Sequence, residues 1–330
     1  MNILLSFASN KTEFIQYFKQ ALGNTGKVYA CDCTLNYSLT QADGYLITPK
    51  VFNDSYISEL TDFCKKKDIS VIIPLSGVDL LVLSKNKNKL QDLGISAIVS
   101  DESIIDVCVD KWEMYLFLNS IGIKQPKTYI DLEAVKRDIE SGTLSFPLFL
   151  KPRLFAEKTK EIDVDNIEEL DLFYHKLQQK ICLQKEDNNI IIIENIPGDR
   201  YGLFLFNDLQ GNFITTAALR KLRVPDYYTK LAQVVDIHLF EDVVKLISAK
   251  LKHIAFLEIE LYLTESGDII FSEIYACFGN SYPFLHIAGA NFPKQIVDWL
   301  NKLPVSSNNL SYENGVMGER KVTLKIIDIA

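Results

Sequence analysis

The sequence predicts a mixed α/β protein: a parallel-sheet domain at the N-terminal end, then an α+β region built on antiparallel sheet. Three observations predict it. Short apolar runs alternate with amphipathic stretches through residue 99. The last third instead shows apolar runs paired around tight turns. The 330 residues are 48% hydrophobic and 24% charged, globular proportions with enough chain for two or three domains.

Residues 2–8 form an apolar run, and 12–22 an amphipathic stretch, which reads as strand, loop and helix. The pattern recurs with strands at 28–31, 71–74 and 95–99 and helices at 55–66 and 78–90. Short links between alternating strands and helices call for a parallel sheet covered on both faces.

A helix opens at Asp110-Lys111-Trp112 and runs to Asn119, where Gly122 and Pro126 close it. A second helix spans 132–140. Residues 146–152 form a strand bounded by Pro147 and Pro152; proline lacks the N–H a ladder needs, so both belong at strand limits. A helix over 166–179 and an apolar strand over 190–193 follow, the latter entering Glu194 and the turn Pro197-Gly198.

Residues 201–207 and 213–219 flank a turn, as do 256–263 and 268–274 around Ser266-Gly267, giving two hairpins. Helices are expected at 240–251 and 292–300, and a final strand at 321–327. No internal repeat interrupts this order.

A net charge of −8 leaves no broad basic surface, which argues against general binding of nucleic acid or anionic membrane. No apolar stretch reaches the roughly 18 residues a membrane span needs, and residues 1–8 lack the basic leader of a signal peptide. Six cysteines are too few for a disulfide framework in a chain of this length. The expectation is a soluble, reduced, cytoplasmic protein. Whether it forms oligomers stays open.

Three groups of residues suggest chemistry. Glu260 and Glu273 lie in the two strands of one hairpin at similar distances from its turn, so they are expected to face each other. Glu258 shares a strand face with Glu260. Gathered acids suit a hard cation such as Mg²⁺, although salt-bridged or solvated acids are the commoner meaning. Lys151, held between Leu150 and Pro152 at a strand end beside Arg153, suits phosphate oxygens or plain solvent. Arg220, Lys221 and Arg223 end a strand and suit an anionic substrate or a solvated edge. Cys31-Asp32-Cys33 lacks a second ligand pair at zinc spacing, and the chain has no nucleophile elbow or Gly-Lys-Thr/Ser loop.

In chain order these features resemble the ATP-grasp superfamily, in particular short proteins similar to half of the carbamoyl-phosphate synthase large chain. The residues that carry the resemblance are Asp110-Lys111-Trp112, Phe146-Pro147 through Lys151-Pro152-Arg153, residues 190–194 with Pro197-Gly198, Phe271-Ser272-Glu273-Ile274 through Gly279, and Ala288-Gly289-Ala290-Asn291-Phe292-Pro293. The resemblance implies a pre-grasp domain over 1–105, a small lobe over 106–194 and a large lobe over 195–330. It implies that ATP and magnesium serve transfer of a phosphoryl group to a substrate carboxylate, which an amine then attacks.

Residue by residue, the resemblance makes Lys111 and Lys151 contacts to nucleotide phosphates. Ile192, Glu194 and Ile196 become a hinge offering backbone groups to adenine. Glu260 and Glu273 become magnesium ligands, and Arg220 and Arg223 face phosphates or substrate. Three positions depart from the family pattern. Residues 154–161 contain no glycine, Arg200 stands where an acid is usual, and Glu273-Ile274-Tyr275-Ala276-Cys277 replaces Glu-x-Asn-Pro-Arg. Besides the ligase, two readings therefore stand: a non-catalytic relative serving a partner protein, and a binder of another anionic metabolite through Arg220, Lys221 and Arg223.

Overall fold

The computed structural model describes residues 1–154, 161–181, 190–225, 228–321 and 323–327. The chain divides into two units. One comprises Met1–Ile105, Tyr201–Ile259 and Tyr275–Ala330, the other Asp106–Arg200 and Glu260–Ile274.

The first unit begins with β1 (Asn2–Ser6), α1 (Thr12–Leu22), β2 (Val28–Asp32), α2 (Tyr37–Thr40), β3 (Tyr45–Ile47), α3 (Tyr56–Lys66), β4 (Ile69–Pro74), α4 (Gly77–Lys85), α5 (Lys87–Asp92), β5 (Ser96–Ala97) and α6 (Glu102–Val109). The five strands form a parallel sheet in the order β3-β2-β1-β4-β5. All of β2 and nearly all of β1 and β4 are buried, as parallel strands covered on both faces must be. α1 buries Phe14, Ile15, Phe18, Ala21 and Leu22 along one stripe, and Gly23 at φ +54° ends it by donating to Lys19 C=O. The helix expected over 78–90 is interrupted at Asn86, whose side-chain amide donates to Val82 C=O.

The second unit contains α7 (Lys111–Ser120), β6 (Thr128–Tyr129), α8 (Leu132–Glu140), β7 (Leu148–Pro152), β8 (Ile162–Val164), α9 (Ile167–Ile181) and β9 (Ile190–Glu194). Its strands form an antiparallel sheet in the order β6-β9-β7-β8. Alternation decides its two faces. Leu148, Leu150, Ile190 and Ile192 pack with Val135 of α8 and Leu170 and Leu177 of α9 into one core. Phe149, Lys151, Ile191 and Ile193 are left for the opposite face.

The chain continues with β10 (Asp199–Asn207), β11 (Phe213–Arg223), β12 (Leu231–Val235), α10 (Glu241–Leu251), β13 (Phe256–Leu263), β14 (Ile269–Tyr275), α11 (Tyr282–Ile287), α12 (Phe292–Leu300), α13 (Ser307–Leu310) and β15 (Met317–Glu319). The six strands lie in the order β14-β13-β10-β11-β12-β15, and both expected hairpins are formed. Phe14 and Phe18 of α1 join Phe256, Phe278, Tyr282 and Phe292 in one core, with Phe256 and Phe278 stacked at 4.5 Å between ring centroids. The strand expected over 321–327 is not formed. The edge strand is β15, four residues earlier at its start, and the described residues beyond Arg320 are irregular. No helix of the described residues is long and apolar enough to cross a membrane.

Candidate functional site

The second unit contains a pocket on the sheet face opposite the core built with α8 and α9. Met114 of α7, Phe149, Ile191, Ile193, Ile196 and Phe271 form its apolar walls. Lys111, Lys151 and Glu161 line it as well.

Sequence explains how the two lysines come together. Asp110 caps α7, its Oδ1 accepting from the N–H of Trp112 at 2.9 Å and of Glu113 at 3.3 Å. The same carboxylate accepts from Arg153 Nε, 2.9 Å from each oxygen, and Lys111 N–H donates to Arg153 C=O at 3.1 Å. The end of β7 and the start of α7 are thus tied together, with Lys151 two residues before Arg153 and Lys111 directly after Asp110.

Lys151 Nζ lies 2.7 Å from Glu161 Oε1 and 2.9 Å from Glu273 Oε1, with all three side chains largely buried. Burial works against its charge, but Glu273 and Glu161 outweigh it and hold the pKa above the usual lysine range. Lys111 shifts the other way. Burial lowers its pKa, Lys151 adds to the lowering, and Glu273 opposes both. An anion entering the pocket would relieve the strain on Lys111.

Of the residues singled out in the sequence, Lys111, Lys151, Glu194 and Ile196 line the pocket. Ile192 does not, which corrects that expectation. Its side chain is in the core, and its backbone is paired with Leu150 on one side and Tyr129 on the other. A central strand has no spare backbone group to offer. Glu194 is tied to the strand start: its carboxylate accepts from Lys127 N–H at 3.1 Å, and its own N–H donates to Lys127 C=O at 2.9 Å.

Glu273 faces Lys151, whereas Glu260 lies beside Ser272, whose Oγ donates to Glu260 C=O at 3.2 Å, and in the field of Arg200. Among the described residues, no three histidine, cysteine, aspartate or glutamate side chains gather into a group able to hold a metal ion. The two glutamates therefore offer hard oxygen donors that need further ligands. Arg220 and Arg223 belong to β11 in the other unit, and Arg223 pairs with Glu319 of β15.

Among the pocket residues that sequence reasoning missed are Glu161 and Tyr262. Glu161 carries no motif, because only folding brings β8's approach against Lys151. Tyr262 is two residues beyond Glu260, so strand alternation was its signal. Arg200 stacks over its ring at 5.3 Å. The glycine-free segment at 154–161 lies, between its two ends, outside the described residues.

Residues 3–98 match the family model of the PylC-like N-terminal domain. Comparison with curated proteins by sequence gives no match. Among solved structures, the chain is similar to pyruvate carboxylase from Rhizobium etli, with a TM-score of 0.74 at 13% identity over 93% of this chain, but it spans only 29% of that one. It is similar to the biotin carboxylase domain of Hydrogenobacter thermophilus 2-oxoglutarate carboxylase in complex with MgADP and bicarbonate (TM-score 0.74, 16% identity, 94% of this chain and 72% of that one). It is also similar to the L-amino acid ligase from Bacillus licheniformis (TM-score 0.69, 17% identity, 94% and 76%). The chain has the ATP-grasp fold: a parallel-sheet N-terminal domain followed by antiparallel sheets.

Proposed function

We propose that the protein is an ATP- and magnesium-dependent ligase that activates a substrate carboxylate as an acyl phosphate for attack by an amine. The observation that carries this reading is the pair Lys111 and Lys151 lining one pocket with apolar walls. Two similar structures support it, one a carboxylase domain with MgADP and bicarbonate, the other an amino acid ligase.

The residues present fit the nucleotide. The apolar walls suit a base, and two buried ammonium groups suit phosphate oxygens. Glu260 and Glu273 fit magnesium in donor chemistry, with the nucleotide's own oxygens completing the set. Bound metal would neutralise phosphate charge during transfer. Lys151 then holds phosphate oxygens while Glu161 and Glu273 keep it protonated. Lys111, destabilised by burial, gains most from the anion. Ile191 and Ile193 exclude water from the base.

Calorimetric titration of the chain with ATP, with and without magnesium, tests the reading. Magnesium-dependent binding that is lost in Lys151→Ala and in Glu273→Ala is the expected outcome. No binding at millimolar ATP would sink it, and the fold would then serve a partner protein or another anion. Formation of ADP dependent on an added carboxylate and amine would identify the substrates.

A further inference from the structure

Residues 321–327 do not fit the rest of the first unit. Their sequence alternates as a strand does, yet Leu324 is fully exposed and Ile326 is 84% exposed. An apolar, β-prone segment standing in water is a strand that lacks a neighbour. It also carries two lysines, Lys321 and Lys325, and no acid, on a chain of net charge −8.

The edge it leaves is equally unfinished. Among the described residues, β15 pairs on one side only, with β12, as the last strand of the six-stranded sheet. Arg320 N–H donates to Lys230 C=O and Val234 N–H to Val316 C=O. In an antiparallel ladder the residues between them, Met317 and Glu319, therefore turn their backbone groups away from β12. Gly318 lies on the other strand face under Ile287: a Cβ there would stand 2.8 Å from Ile287 Cδ1, and Ile287 is 59% exposed. β15 contains no proline, lysine or bulge, the devices that keep edge strands apart.

The segment cannot cover this edge in its own copy. Arg320 is fixed, its guanidinium donating to Glu13 at 2.6 Å and to Asn280 C=O at 2.7 Å and lying over the rings of Tyr228 and Phe284. With Arg320 still bonded to Lys230, a reversal onto β15 would fall to Lys321, Val322 and Thr323. A tight hairpin turn needs positive φ, which β-branched residues resist, and no glycine, asparagine or aspartate stands there.

We infer that residues 321–327 are a strand exchanged between two copies of this chain, each copy lending it to the free edge of β15 in the other. The occupant is a second copy because one chain carries both halves of the contact, a basic strand and an edge bearing Glu319, and cannot join them itself. One antiparallel register fits both halves. It sets Lys325 opposite Glu319, Ile326 opposite Gly318 and over Ile287, and Ile327 opposite Met317. The outward backbone groups of Met317 and Glu319 then bond to Ile327 and Lys325, and Lys325 joins the pair Arg223–Glu319. The inference goes beyond the nucleotide reading and needs no ATP.

Sedimentation velocity of the full chain without nucleotide tests it. A contact this small associates in the micromolar range, so a reversible dimer is expected between about 1 and 100 µM. Ile326→Asp in the strand and Met317→Pro in the edge should each weaken it by about tenfold or more, since proline removes an outward N–H and leaves the β12 ladder intact. Lys325→Glu, which sets an acid against Glu319, should weaken it too and covers the case that Met317→Pro fails to fold. Mixing Ile326→Asp, whose edge is intact, with Met317→Pro, whose strand is intact, should restore association that neither shows alone. A parent chain still monomeric at about 100 µM would overturn the inference. So would association unchanged in Ile326→Asp, association unchanged in a folded Met317→Pro or in Lys325→Glu, or a mixture no more associated than its parts. Because no nucleotide is present, loss of the ligase reading would leave this result standing.

Discussion

Replacing Lys151 by methionine removes the ammonium that pairs with both Glu161 and Glu273, at 2.7 and 2.9 Å. The two carboxylates, 9% and 18% exposed, then each lose that ion pair. Stranding one buried charge costs about 3–5 kcal/mol. The residual exposure of this cluster brings the expected loss to about 3 kcal/mol at pH 7. The loss depends on pH in a definite sense. In the variant, like-charge repulsion raises one carboxyl pKa above its unfolded value, so the folded form binds a proton as pH falls. The deficit therefore shrinks as pH falls from 7 to 5. In the parent the Lys151 pKa is raised, so its contribution is complete below the ordinary lysine value and is lost only as pH rises through the folded one. Urea unfolding followed by circular dichroism at pH 7 and pH 5 measures the loss and its change. Lys151→Met combined with Glu161→Gln should recover part of the loss at pH 7. A cost below about 1 kcal/mol at pH 7, or one that does not change with pH, would refute the claim that Lys151 balances two buried acids.

Other outcomes follow from the same structure. His253 is fully buried, and burial lowers its pKa to about 3. Stability is therefore complete above the ordinary histidine pKa and falls as pH drops below it, by about 2 kcal/mol at pH 5; His253→Gln should flatten that slope in urea unfolding. Gly279→Ala sets a methyl group against the Glu258 carboxylate and should cost about 2–3 kcal/mol, whereas Gly202→Ala, which meets the flexible end of Lys221, should cost less; thermal unfolding ranks the two. Ile192→Ala should cost about 2–5 kcal/mol with ATP affinity little changed, and Ile191→Ala, which truncates an equally buried side chain, should weaken ATP binding as well as the fold, because of the two only Ile191 lines the pocket.

The parts of the fold visible in the sequence are those whose period is local. Continuous apolar runs mark β1 and β4, a 3.6-residue stripe marks α1, and Ser266-Gly267 marks the β13–β14 turn, which is closed by Thr264 and Asp268. The parts not visible are those that tertiary contact creates. β3, β6, β8 and β12 are short strands recruited as neighbours of longer ones, and none has a pattern long enough to announce itself. Residues 321–327 show the reverse case. Their alternation is strand-like, yet the described residues there find no partner strand, and an apolar pattern without a partner does not make a sheet.

The same distinction governs the site. Lys151 was legible because a strand of alternating burial, Leu148 and Leu150 inward, must turn the residue between Leu150 and Pro152 to the other face. Period two carries over to β9, where it assigns Ile191 and Ile193 to the pocket and Ile192 to the core. Reading the hinge as a continuous segment overlooked that alternation. Glu161 obeys no such rule, since its place against Lys151 depends on β8 pairing with β7 across a loop. The charge balance of the pocket is therefore a property of the folded sheet. Lys151 is held in ion pairs by Glu273 of β14 and by Glu161, the residue before β8. Lys111, whose pKa burial lowers, is the lysine whose protonation an incoming phosphate changes most.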